Sequence, residues 1–154
     1  VRTKALDIVH LCNMGRIKAR AYRNAAQDIV GGSVTKVLID TISFDTENVI
    51  DIANSRIIPN LPGYYIVIAN IRVRAVPYGR RVAAAVAKNG SFALYGTQVN
   101  QGTDGISSSI TSGFVYMNGT TDYLELRADS THSSALALYA GYPHQNYLSI
   151  LGPF

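Results

Sequence analysis

From Tyr65 to Ala75 every second residue is apolar: Tyr65, Val67, Ala69, Ile71, Val73 and Ala75. A period of two predicts a β-strand with that face turned to a core. The opposite face changes character half-way, running Tyr64, Ile66 and Ile68, then Asn70, Arg72 and Arg74. A half-buried strand alternates cleanly between apolar and polar positions. Here Tyr64, Ile66 and Ile68 need a cover that the polar half does without.

The rest of the chain reads as short strands separated by turn residues. "RIKARAYR" (16–23) sets Ile17, Ala19 and Ala21 against Arg16, Lys18, Arg20 and Tyr22. Strands are also predicted over 35–44, at "SRIIP" (55–59), and over 81–88, 91–96, 109–117 and 122–128; "ALALYAGY" and "YLSILG" complete the chain. Asn89-Gly90 is a strong hairpin signal, and Asn118-Gly119 opens a second tight turn. Such spacing predicts an all-β sandwich or barrel. Counting reversals puts the turns at 89–90 and 118–121 at one end, and the longer connections 76–80, 97–108 and 129–146 at the other. Residues 3–14 are the helix candidate, ended by Gly15, and too short to be stable alone. The expected organisation is an N-terminal helix or stalk over 1–15 and one β-domain over 16–154.

Composition narrows the class. The 154 residues are 47% apolar and 16% charged, with ten Tyr, thirteen Gly and no Trp, which excludes a disordered chain and suits strands with glycine turns. Net charge is +4, too modest to argue for a duplex-binding stripe. No apolar run has the length of a membrane span. Cys12 is the sole cysteine, so no intrachain disulfide can form.

Candidate chemistry is thin. Asp129, Ser130, His132 and Ser133 are neighbours on one short loop, where a nucleophile, base and orienting group rarely converge. Asp40, Asp45, Glu47 and Asp51 lack the spacing of a calcium loop, and His10, His132 and His144 have no partner at metal-ligand spacing. Neither catalysis, a metal nor another cofactor is expected. Asn89-Gly-Ser and Asn118-Gly-Thr match a glycosylation pattern that their turn roles already explain. Basic residues gather at Arg16, Lys18, Arg20 and Arg23 and at Arg72, Arg74, Arg80 and Arg81. They read first as the wet face of alternating strands, second as attraction to an anionic cell-surface polymer. The tyrosines are not interleaved with them along the chain, so nucleic acid is not an expected partner.

Several stretches taken in order carry a resemblance: "ARAYRNAAQDI" (19–29), "FDTENVIDIANSRIIPNLPGYYIVIANIRV" (44–73), "VAKNGS" (86–91), "GFVYMNGTTDYLEL" (113–126) and "YLSILGPF" (147–154). Together they resemble the C1q-like domain of the tumour-necrosis-factor-like superfamily, in the variant found in bacteriophage and bacterial proteins. Phe44, Asp45, Pro59, Gly63 and Tyr65 match the family's central signature, while Ile50 stands where an aromatic is usual before Asp51. The resemblance implies a ten-stranded, two-sheet jelly roll that forms a homotrimer. On that reading Tyr64, Ile66 and Ile68 lie at the trimer interface; the alternative cover is residues 3–14 of the same chain. It further implies a head domain of a phage tail fibre or similar virion appendage, recognising a host cell-surface polysaccharide or protein receptor. Its receptor-binding candidates are Tyr78, Arg80, Gln98, Asn100, Gln101, Asp104, His132, Tyr142, His144 and Gln145 on the long-loop end. A purely structural trimerisation or virion decoration domain is the first alternative. A secreted C1q-like ligand or lectin, extracellular or at a cell surface, is the second.

Overall fold

The computed structural model describes residues 12–103 and 105–154. The helix expected over 3–14 lies almost wholly outside them, as does Asp104. The described strands are β1 (Ile17–Tyr22), β2 (Asp28–Ile29), β3 (Thr35–Lys36), β4 (Thr41–Asp45), β5 (Ile50–Asp51), β6 (Arg56–Ile57), β7 (Pro62–Val76), β8 (Arg81–Lys88), β9 (Ser91–Val99), β10 (Gly105–Asn118), β11 (Leu124–Ser130), β12 (Leu136–Ala137) and β13 (Tyr147–Gly152). One sheet runs β10-β7-β13-β1-β4 and the other β5-β6-β11-β8-β9. These ten strands face each other as the expected jelly-roll sandwich. Three further two-residue strands are additions: β3 pairs with β11, and β2 with β12.

The core is what the alternation dictates. Tyr65, Val67, Ala69, Ile71 and Val73 of β7 are fully buried against Val82, Ala84 and Val86 of β8 and Leu124, Leu126 and Ala128 of β11. Burial pushes the Tyr65 phenol up to about 12, and its hydroxyl donates to the Leu61 carbonyl at 2.8 Å. The sandwich closes on one side through Ser109, which accepts from the Ala84 amide at 3.0 Å and donates to the Gly96 carbonyl at 2.8 Å. Gly96 is required there, since a Cβ would stand 2.3 Å from the Ile110 carbonyl oxygen.

Two expectations change. The 35–44 stretch is not one strand: β3 joins the second sheet, β4 joins the first, and residues 37–40 cross between them. Val37 and Ile39 are buried on the way, which gives the crossing an apolar pattern indistinguishable from a strand. Ala75 does not continue the buried face of β7. It is exposed with φ of 51°, the register against β10 shifts between Gly105 and Ser107, and Val76 takes the inward position. An irregularity of this kind re-aims the strand at the sheet rim.

Gly15 donates its amide to the Pro153 carbonyl at 2.7 Å, which puts the start of β1 beside the end of β13. We call this end the base. The Asn89-Gly90 and 118–122 turns lie there too, joined by Asn89 donating to Asp122 at 2.7 Å. The connections 77–80, 100–103 and 131–146 form the opposite end, the top.

Candidate functional site

The outer face of the first sheet carries the features that the core and turns do not explain. Register places its outward side chains in rows. Tyr116 pairs with Tyr64; Phe114 with Ile66, then Leu151 and Lys18; Ser112 with Ile68, then Ser149, Arg20 and Phe44. Tyr64, Phe44, Phe114 and Tyr116 are exposed, Phe114 by 67%, with Tyr64 and Tyr116 edge-to-face at 5.4 Å between ring centres. Between them Ile66, Ile68, Leu151 and Phe44 line a groove of about 290 Å³. The three residues expected at an interface therefore lie in one apolar patch at the base half of this face. Sequence reading missed their neighbours Phe44, Phe114, Tyr116 and Leu151. For Phe114 and Tyr116 a signal existed, since β10 is apolar on both faces from residue 114 to 117.

Above the patch the same face turns cationic. The Arg20 guanidinium lies 3.9 Å over the Tyr147 ring and donates to the Pro143 carbonyl at 2.7 Å. Arg72 and Arg74 both sit on the Tyr139 ring, at 4.9 and 4.1 Å. Asn146, fully buried, fixes this arrangement: it accepts from the Arg72 amide at 2.8 Å and donates to the Tyr139 carbonyl at 2.7 Å. The tyrosines absent from the basic runs along the chain are thus interleaved with them in space.

The eight clustered basic residues separate into two kinds. Arg16 pairs with Glu47, Arg23 with Asp40, and Arg81 with Asp129. Lys18, Arg20, Arg72, Arg74 and Arg80 make no ion pair among the described residues.

The acidic residues are spent elsewhere. Burial alone would raise the Asp40 carboxyl. Hydrogen bonds from the Asn24 and Ala25 amides and Thr41, with the charge of Arg23, hold it below its ordinary value. Asp45 accepts the Val49 and Ile50 amides at 3.0 and 2.8 Å. Hydrogen bonds from Asn54 and Arg56 hold Asp51 low. Four carboxylates with separate partners do not converge on one cation. Asp129 receives Arg81 at 2.8 Å and the Tyr95 hydroxyl, which burial and that contact hold above its ordinary value. Ser130 follows it on β11 and points to the opposite face, so the two cannot act on one substrate atom.

The described receptor candidates fall into two groups, with His132 and Gln145 apart from them. Tyr78, Arg80, Gln98 and Gln101 are exposed at the top, where the 77–80 and 100–103 connections are joined. Asn100 makes that joint: its amide donates to the Val76 carbonyl at 2.5 Å, and its backbone exchanges bonds with Gly79 and Arg80. His132 is half-buried above β11, with Thr131 bonded to Arg81. Tyr142 and His144 are exposed, with their rings 5.6 Å apart and tilted by 37°, beside Arg20 rather than the first group. Gln145 departs from expectation, being only 2% exposed; its carbonyl accepts from Asn70. Asn146, next to it, is the staple that sequence reading passed over.

Both glycosylation-pattern asparagines are occupied. The Asn118 side-chain oxygen accepts the amides of Thr120, Thr121 and Asp122 at 3.0 Å each, and Asn89 binds Asp122 and the Tyr123 amide. Among the described residues no helix is long and apolar enough to cross a membrane.

No protein-family model matches the sequence, and no curated protein matches it. Solved structures do resemble its fold. Murine APRIL superposes with TM-scores of 0.63 and 0.65 in crystals at pH 8.5 and 5.0, at 12% identity over 88% of this chain and 98% of that one. Eiger TNF from S. frugiperda gives 0.64, at 10% identity over 90% of this chain and 92% of that one. The fold is the tumour-necrosis-factor-like jelly roll.

Proposed function

We propose that this chain is a binding head that assembles as a homotrimer through the base half of the first sheet's outer face. The observation that carries the reading is the apolar patch of Tyr64, Ile66, Ile68, Phe114 and Tyr116 around its groove. A contiguous exposed patch of this kind marks an interaction surface. The likeness in fold to Eiger TNF supports a ligand-like role over an enzymatic one. Three copies would present three identical sites at the top and gain avidity without new contacts. A head on a phage tail fibre or comparable appendage, binding a host surface receptor, is the finer reading. It draws on the sequence resemblance to the phage variant, and on β1 starting and β13 ending at the base, which leaves the top loops facing away.

Light scattering across dilution tests the assembly. A stable mass near three times 16.6 kDa is expected, and a monomer at every concentration overturns it, assigning the cover of the patch to residues 3–14. Adsorption competition tests the role: the isolated head should block attachment of intact particles to host cells. A trimer that binds no cell is the structural alternative. The fold likeness to Eiger TNF also favours a second reading, an extracellular C1q-like ligand or lectin; binding to animal cells and not bacterial ones would select it.

A further inference from the structure

Arg20, Arg72 and Arg74 share an outer face with no negative charge to meet them. Four of the sheet's five strands, β1, β7, β10 and β13, contain no Asp or Glu, and the fifth, β4, ends in Asp45, whose carboxylate is taken by the Val49 and Ile50 amides. Two guanidinium groups resting on the one Tyr139 ring repel each other, and nothing among the described residues neutralises them. The side chains are nonetheless held: by Tyr139 and Tyr147 beneath them, by the Pro143 carbonyl on Arg20, and by Asn146 under the loop. Fixed, planar, unpaired guanidinium forks suit carboxylate or sulfate groups, which accept two parallel N–H bonds.

We propose that this ledge binds an acidic polysaccharide, carboxylated or sulfated. The spacing supports that class. Register sets Arg20 of β1 level with Ile68 of β7, four residues before Arg72, so the backbone positions of the two anion subsites are two strand spacings (about 10 Å) apart across the sheet and offset by about 13 Å along it. Charges that recur once per disaccharide meet such a spacing better than the denser phosphates of a nucleic acid. The rings of Tyr139 and Tyr147 are capped by arginine, and the exposed Tyr142–His144 pair beside them offers surface enough for one sugar but not for a run of bases. The proposal deepens the receptor reading and rests on it in one respect: the apolar half of the face closes the trimer, while the arginine half, which cannot be dehydrated against its own like charges, stays wet at the rim.

The test is calorimetric titration of the full chain with a heparin-derived oligosaccharide, a polygalacturonate oligomer, a neutral dextran oligomer and a single-stranded oligonucleotide of equal charge. Binding of either acidic saccharide, weakened by salt, with none of dextran, is expected. Arg72→Ala with Arg74→Ala should weaken it by about ten-fold or more at unchanged oligomeric mass. Arg16→Glu, which removes the same two units of charge at the base, should weaken it less than about two-fold. No binding of either acidic probe, equal loss in Arg16→Glu, or equal affinity for the oligonucleotide overturns the proposal. Dissociation of the assembly by the double variant also overturns it, because the arginines would then be interface. A monomeric wild type that still binds the acidic saccharides leaves this site standing and removes only the trimer.

Discussion

The two outer faces of the sandwich are built from similar strands and finished differently. On the second sheet, Ala83, Ala85 and Ala87 of β8 are buried although they point outward, because longer side chains from β11 and β9 fold over them. Those side chains are paired with each other: Glu125 takes Lys36 at 2.6 Å and Arg127 at 2.5 Å, and Asp129 takes Arg81 and Tyr95. On the first sheet, large apolar groups and arginines stand open with no such closure. The second sheet's face has satisfied its charges and covered its small residues, with the Phe92–Tyr95 ring pair as its exposed aromatics. A face with exposed aromatics below and uncompensated cations above is the one on which the proposed trimer contact and the proposed anion ledge both fall.

The contrast can be broken most sharply by one glutamate placed on each face. If the proposed trimer forms through this patch, Ile66→Glu should convert it to a 16.6 kDa monomer in light scattering, since an unpaired charge at a closed interface costs several kcal/mol. Thr97→Glu, on the exposed outer face of β9, should leave the mass unchanged. Equal behaviour of the two would remove the distinction between the faces. Leu126→Ala, in the core that both sheets share, should cost about 2–5 kcal/mol in denaturant unfolding of the protomer without altering its contacts across the first sheet. That outcome separates folding from assembly.

Glu125→Gln probes how the second face is closed. Its partners Lys36 and Arg127 keep about a quarter to a third of their side chains in solvent, so the loss should be about 1–2 kcal/mol, below that of a fully buried pair. Burial works against the Glu125 charge, yet its hydrogen bonds to Lys36 and Arg127 hold its pKa below the ordinary value, and Asp40 and Asp122 are held low likewise. Groups whose folded pKa is depressed contribute stability above their unfolded value, and that contribution is lost as pH falls through the folded one. Denaturant midpoints should therefore hold from neutrality down to about pH 4 and fall below it, with a shallower fall in Glu125→Gln. The smallest effect is expected at the base, where Asn118→Ala removes the acceptor for three amides of a turn open to water, about 1 kcal/mol by thermal unfolding.

The sequence by itself determined the strands whose neighbours do not matter. Alternation in 65–73 required a buried face whatever lay across from it, because a period of two leaves a side chain only two directions. Asn89-Gly90 specified its hairpin because φ of 51° and 84° is open to that pair of residues and few others. The half-apolar second face of β7 was also legible, as a need for cover without a statement of the cover. Tertiary structure decided the rest. Residues 37–40 cross between sheets, since an apolar pattern records burial and not which strand is paired. Ala75 turns outward because its register is set by β10, more than thirty residues away in the chain. Tyr147 lies under Arg20 and Tyr139 under Arg72 and Arg74 because β13 inserts between β1 and β7, and no local pattern encodes that insertion. The same insertion brings strands without carboxylates together, so the charge of the face is a property of which strands become neighbours.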